Sequence, residues 1–189
     1  MRKLLLILTI VALQGCATTP GKDDLASLQL FGADYNPNFT FYFACAGNSD
    51  DSTLQCETVR RAFDAWSEDR HIASHRVGMD DPVFQAGRSA RGGQAVGKPY
   101  ILAIRFEPIV TPGYQTWSGN AGTMNSGFVP GRVGYDAKLI VFSASTGAVV
   151  RTLSPHRQQQ LPQHSNVTPA MKADVYGLIA LMDPAYSHS

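Results

Sequence analysis

The chain has 189 residues, is 44% hydrophobic by count, and carries 16 Lys+Arg against 15 Asp+Glu. Those proportions describe a globular domain and exclude a disordered chain, a collagen-like repeat and a polytopic membrane protein. The near balance of charge speaks against a nucleic-acid binder, which shows a basic excess gathered on one face.

At the N-terminus, Arg2 and Lys3 precede a ten-residue apolar run from Leu4 to Leu13, broken only by Thr9. A membrane-spanning helix needs about 20 apolar residues. The run is too short for that and reads as the apolar region of a secretory signal. Leu13, Gln14, Gly15 and Cys16 follow. This stretch resembles the lipobox of bacterial lipoproteins, whose pattern is Leu, a tolerant position, a small residue and Cys. Gln14 is not among the common residues at its position. The resemblance covers the first sixteen residues. It implies cleavage before Cys16, a diacylglyceryl thioether on Cys16 and acylation (palmitate in the family) of the new amino terminus. Two acyl chains already give stable anchoring, so the membrane becomes the first partner. In that family Asp after the Cys favours inner-membrane retention. Ala17 stands here, which implies the outer membrane, with the domain facing the periplasm. Removing Arg2 and Lys3 takes the 16 basic residues to 14 against 15 acidic ones. Residues 17–26 carry Thr, Pro, Gly, Lys and Asp and predict a short flexible tether. The expected organisation is a signal peptide over 1–15, the lipidated Cys16 and its tether over 16–30, and a single α+β domain over 31–189.

There are three cysteines. With Cys16 taken by lipid, Cys45 and Cys56 remain as a pair in an oxidising compartment. Ten residues lie between them, rich in Gly, Asn, Ser and Asp, and such a segment folds back easily. The pair predicts a Cys45–Cys56 disulfide. There is no C-x-x-C spacing, and two thiols cannot fill a tetrahedral metal site.

Further along, Phe39, Phe41, Phe43 and Cys45 alternate with Thr40, Tyr42 and Ala44, the pattern of a half-buried strand. Ser52 and Gln55 form a capping box for a helix over about 53–69. Val59, Ala62, Phe63 and Trp66 make its apolar stripe. Residues 72–79 predict a modest strand, 83–86 a turn of helix, and the Gly-, Ser- and Arg-rich stretch 87–98 a loop. Residues 100–110 predict the strongest strand, with Tyr100, Leu102, Ile104 and Phe106 on one face. Pro108 suggests an end that frays or lies at an edge. The glycine-studded stretch 111–131 reads as a loop, unusually long for a compact domain. Residues 133–143 predict a strand with Tyr135, Ala137, Leu139 and Val141 inward. A turn with Gly147 in a left-handed position leads to a hairpin partner over 148–153. A polar linker through Gln158, Gln159 and Gln160 follows. Thr168 as N-cap with Pro169 at the first helical position opens the last helix, whose stripe is Met171, Val175, Leu178, Ile179 and Met182. The segment from Gly134 to Val150, GYDAKLIVFSASTGAVV, resembles a hairpin of uncharacterised periplasmic lipoprotein families. The elements run β-α-β-β-β-β-α. They predict one two-layer α+β domain, a mostly antiparallel sheet of about five strands with two helices on one face.

For chemistry, His71 and His75 form H-x-x-x-H, which on a helix places both rings on one face. On a strand those residues stand about 13 Å apart, and no third ligand is evident beyond Asp69, Asp80 or Asp81. Ser89 sits in a Gly-Arg-Ser-Ala-Arg-Gly turn but lacks the G-x-S-x-G frame and a strand to present it. No catalytic motif, cofactor fingerprint or metal set is found. Arg88, Arg91 and Lys98 give the 87–98 loop a positive charge suited to phosphate or lipid headgroups. Tyr114, Trp117 and Phe128 sit among glycines and polar residues. They make a surface for an envelope protein or glycan, unless Trp117 and Phe128 fold back onto the sheet as a small core. The function expected is a lipid-anchored envelope protein that acts by binding, as an accessory or assembly component. The rivals are an envelope hydrolase using Ser89, His71 or His156, and a carrier with a lipid or small-ligand cavity between sheet and helices.

Overall fold

The computed structural model describes residues 25, 28–88, 97–119, 125–163 and 165–187. The expected signal peptide, Cys16, Ser89 and Arg91 lie outside them.

Strand β1 (Phe39–Cys45) runs inside the main sheet and is buried at every position but the last. Phe39, Phe41 and Phe43 face one side; Thr40, Tyr42 and Ala44 are buried on the other. The expectation of a half-buried strand is corrected here, because burial on both faces is the mark of a strand with parallel neighbours. Helix α1 (Asp50–Asp69) follows and crosses over to the short strand β2 (Ser74–Arg76), parallel to β1. The helix begins earlier than its capping box predicts. Its N-cap is Ser49, whose side chain accepts from the Ser52 backbone N–H at 3.2 Å. Ser52 is fully buried and turns its hydroxyl to the sheet, accepting the Val110 backbone N–H at 3.2 Å. Asp50 and Asp51 in the first turn suit the positive end of the helix dipole.

A single helical turn, α2 (Val83–Ala86), leads towards β3 (Tyr100–Thr111). β3 pairs parallel with β1 over Tyr100–Phe106 and antiparallel with β6 (Gly131–Ser143) along its whole length. Pro108 falls just beyond the last β1 partner. Phe106 O accepts from Ala46 N at 3.2 Å and Val110 N donates to Ser52, so the N–H that Pro108 lacks would point where β1 has ended. The stretch 111–131 is not a loop. It contains β4 (Tyr114–Ser118) and β5 (Asn125–Val129), an antiparallel two-stranded ribbon. Strand β7 (Val149–Leu153) returns through a turn in which Gly147 has φ +73°. The expected polar linker is strand β8 (His156–Leu161), paired antiparallel with the first half of β6. The main sheet is ordered β2-β1-β3-β6, with β7 and β8 sharing the outer edge of β6. Pairing is antiparallel along β3–β6, β6–β7 and β6–β8, and parallel at β1.

Helix α3 (Val167–Met182) closes the domain. Its N-cap is Asn166, accepting from Thr168 N at 2.9 Å. The cap is therefore two residues before Thr168, and Pro169 lies in the first turn rather than at its first position. The predicted stripe of Met171, Val175, Leu178, Ile179 and Met182 is buried throughout. Helices α1 and α3 cover one face of the sheet, over Phe41, Leu102, Ile104, Phe106, Tyr135 and Leu139. Ring contacts tie this core together: Phe43–Phe63 at 4.9 Å, Phe106–Tyr135 at 5.0 Å and Phe41–Trp66 at 5.4 Å between centroids. Each such pair adds about 0.5–1.5 kcal/mol beyond burial. The opposite face is not bare, because α2 sets Val83 and Phe84 over Tyr42, Ile101, Ala103, Ile140 and Phe142. Leu25, Leu28 and Leu30, within the stretch expected as tether, are buried in the main core, so packing begins by Leu25.

Two buried carboxylates hold the helices. Asp183, 2% exposed, accepts from Trp66 Nε1 at 3.1 Å and from Arg70 Nε and Nη2 at 2.7 and 3.2 Å. The Arg70 guanidinium also lies over the rings of Tyr35 and Tyr186, each 5.6 Å away. Tyr186 donates to Asp69 at 3.0 Å, and burial together with that bond pushes its pKa up to about 12. On the other flank, fully buried Asp174 of α3 pairs with Arg157 of β8 at 3.0 Å and accepts from Gln159 at 3.3 Å. Burial raises the Asp174 pKa, against the opposing pull of Arg157 and Gln159.

Candidate functional site: an exposed aromatic ribbon

The ribbon grows out of the two longest strands. Where β3 ends and β6 begins, Pro112–Gly113 and Pro130–Gly131 form a neck, and the chain continues as β4 and β5. A Cβ built on Gly113 would lie 2.8 Å from the Gly131 nitrogen and 2.9 Å from Phe128 Cζ. One on Gly131 would lie 2.8 Å from Thr111 O. Only glycine lets the two backbones approach so closely.

Register assigns the ribbon's faces. Trp117 opposes Ser126 and Gln115 opposes Phe128, so Trp117 and Phe128 share one face as diagonal neighbours. Tyr114 opposes Val129 on the other face. Trp117 is 65% exposed, Tyr114 58% and Phe128 38%. Trp117 and Tyr114 stand in solvent, while Phe128 packs partly over Gly113. Beneath the ribbon a cleft of about 420 Å³ opens between the neck and the β8–α3 connection. Tyr114, Gln115 and Phe128 line one side; Leu161, Gln163 and Val167 line the other.

The remaining candidates do not converge on this place. Arg88 is exposed just after α2, whose following Gly87 lies against Phe142, at the end of the sheet remote from the ribbon. His71 is exposed beyond α1 with φ +53°. His75 is exposed on β2 and stacks on Tyr42 at 4.9 Å. His156 Nδ1 meets Asp136 Oδ1 at 2.5 Å in the open. Among the described residues no group of three His, Cys, Asp or Glu is placed to hold a metal, and no helix is long and apolar enough to cross a membrane. The interface where a carrier would need its cavity is filled by Phe39, Phe41, Phe63 and Trp66 in mutual ring contact. Cys45 and Cys56 are joined, with Cα atoms 5.7 Å apart, tying the end of β1 to the second turn of α1.

Sequence reasoning missed the ribbon's strands because Gly127 and the neck glycines read as loop residues. The signal was the alternation Tyr-Gln-Thr-Trp-Ser, which matches a strand with both faces wet. It also missed Asp174 and Asp183, whose partners lie on other elements.

No family model and no curated protein sequence matches the chain. Several solved structures resemble it loosely. A protein named as a neuraminyllactose-binding hemagglutinin homolog from Helicobacter pylori has 8% identity, covers 79% of this chain and 82% of its own, and has a TM-score of 0.47. The PelC dodecamer from Paraburkholderia phytofirmans has 14% identity, coverage of 76% and 86%, and a TM-score of 0.39. A lipoprotein from Neisseria meningitidis has 13% identity, coverage of 75% and 98%, and a TM-score of 0.32. At these identities and TM-scores the chain is similar to them only in gross outline, and the likeness assigns neither family nor activity.

Proposed function

We propose that this protein is a lipid-anchored component of the bacterial outer membrane, facing the periplasm, that acts by binding rather than catalysis. The β4–β5 ribbon is its contact surface. The single observation that carries the reading is the exposure of Trp117, Tyr114 and Phe128 on a hairpin that projects beyond the sheet. Side chains of this kind supply large, rigid contact area, and Trp and Tyr are enriched among the residues that dominate binding energy. The anchor reading rests on Arg2, Lys3, the short apolar run and the Leu13–Cys16 lipobox. Topology suits both together. Leu30 bonds to Asn38 beside the start of β1, whereas the ribbon leaves the far end of β3. Twelve residues of β3 span about 40 Å, so the contact surface stands well away from Leu30.

The test is a photo-crosslinking amino acid placed at 117 in the full chain in cells, with Leu54, 70% exposed on α1, as the control position. An adduct of defined mass at 117 and none at 54 is expected. Equal or absent labelling at the two positions would sink the reading. Mass spectrometry of the protein purified from membranes is expected to show a chain that begins at an acylated Cys16; an unmodified Cys16 would remove the anchor.

A further inference from the structure

The ribbon and its cleft share one property, the lack of charged side chains. In a chain in which 16% of residues are charged, no Asp, Glu, Lys or Arg occurs between Glu107 and Arg132. The opposite wall of the cleft, with Leu161, Pro162, Gln163, Ser165 and Val167, is uncharged too. A pocket built for a phosphate, a carboxylate or an amine would present a counter-charge. Protein-binding hot spots combine Trp and Tyr with Arg, and none of the described residues lining the cleft is Arg. What remains is aromatic faces beside amides and hydroxyls.

Resting on the binding reading above, we infer that the ribbon and cleft take a neutral oligosaccharide. A pyranose ring has an apolar C–H face and a rim of hydroxyls that both donate and accept. Trp117 and Phe128, on one face of the ribbon, present flat apolar surfaces for the C–H faces of two sugar rings. Diagonal partners in an antiparallel pair lie about 7–8 Å apart, so they serve separate rings of a chain rather than one ring. Gln115 shares that face, and Gln163 stands across the cleft. Each amide offers two donors and an acceptor, which suits hydroxyls of either polarity. The cleft, at about 420 Å³, is within the range of ligand pockets, about 300–1,000 Å³, and receives the end of the chain. Tyr114, on the opposite face of the ribbon, also lines the cleft.

The experiment is calorimetric titration of the full chain in detergent with three neutral tetrasaccharides (chitotetraose, cellotetraose and maltotetraose) and with anionic tetragalacturonate. Saturable binding of at least one neutral tetramer is expected, with tetragalacturonate weaker. Trp117→Ala should weaken that binding by roughly tenfold, which is about 1.4 kcal/mol. Gln115→Glu keeps the strand and adds a charge; it should weaken neutral binding as well. Leu54→Ala should change nothing. Circular dichroism confirms that each variant folds. Failure of all three neutral tetramers, tighter binding of the anionic one, or unchanged affinity in Trp117→Ala and Gln115→Glu overturns the inference. If the crosslinker at 117 still captures a protein while every neutral tetramer fails, the binding reading stands and the sugar falls. If neither gives a signal, both fall.

Discussion

Asp183→Ala tests the account of how the two helices are held at one end of the domain. The substitution removes one carboxylate and strands three donors: Trp66 Nε1, Arg70 Nε and Arg70 Nη2. Deleting one member of a buried, hydrogen-bonded ion pair costs about 3–5 kcal/mol. Arg70 keeps 20% of its side chain in water and recovers part of its hydration, which places the charge loss at the low end of that range. The indole N–H of Trp66 has no such escape, because the residue is fully buried, and an orphaned buried donor adds about 1 kcal/mol or more. The expected loss is about 3–4 kcal/mol. At about 2–4 °C per kcal/mol for a domain of this size, the melting temperature falls by about 10 °C. Urea unfolding followed by Trp fluorescence reads this directly, because Trp66 is the buried indole and reports the core. In a double-mutant cycle with Arg70→Ala, the two losses should overlap by about 2 kcal/mol, since the side chains share one bond network. A loss under 1 kcal/mol for Asp183→Ala, or strictly additive losses in the cycle, would refute the claim that this carboxylate joins α1 to α3.

Three further outcomes are expected. Gly113→Ala places a Cβ against Gly131 and Phe128 and should cost about 1–3 kcal/mol, with faster amide exchange confined to β4, β5 and the neck; unchanged exchange there would show that the neck tolerates a side chain. Reducing the Cys45–Cys56 bond, which closes a segment with a sequence separation of 11, should lower stability by about 3 kcal/mol; identical urea midpoints with and without reductant would contradict it. Asp174 has its pKa raised from 3.8 in the fold, so its neutral form is favoured there. Its contribution is fully present below pH 3.8 and is lost as pH rises through the folded value. Relative to Asp174→Asn, the wild-type protein should therefore lose stability over that interval and then level off; a gain with rising pH would reverse the sign and the argument.

The parts of the fold legible in the sequence are those where one neighbour decides everything. The stripes of α1 and α3 and the alternation of β3 and β6 each face the same apolar core, so period alone places them. Gly147 at the β6–β7 turn is legible for a local reason, its positive φ. What escaped depends on partners distant in sequence. β8 alternates Arg157, Gln159 and Leu161 towards α3, and two of those three are polar because they answer the buried carboxylate of Asp174. No hydrophobic period could reveal it. β1 looks half-polar until Tyr42 and Ala44 are seen beneath α2. Trp117 was legible as a surface candidate. Its pairing with Phe128 on one face was not, because that requires the register of the ribbon.

The parallel placement of β1 has a consequence for the order of assembly. A chain that emerges N-terminus first presents β1, α1 and both cysteines early, and the Cys45–Cys56 loop can close with only local chain in hand. The sheet cannot. β1 waits for β3, some sixty residues later, and β3 waits for β6 beyond the ribbon. Such long-range pairing slows folding because loop closure precedes any reward. Until β6 arrives, Phe39, Phe41 and Phe43 form an unprotected apolar strand of the kind that aggregates. The early covalent loop shortens that exposed interval by keeping α1, with Phe63 and Trp66, beside the strand it will cover.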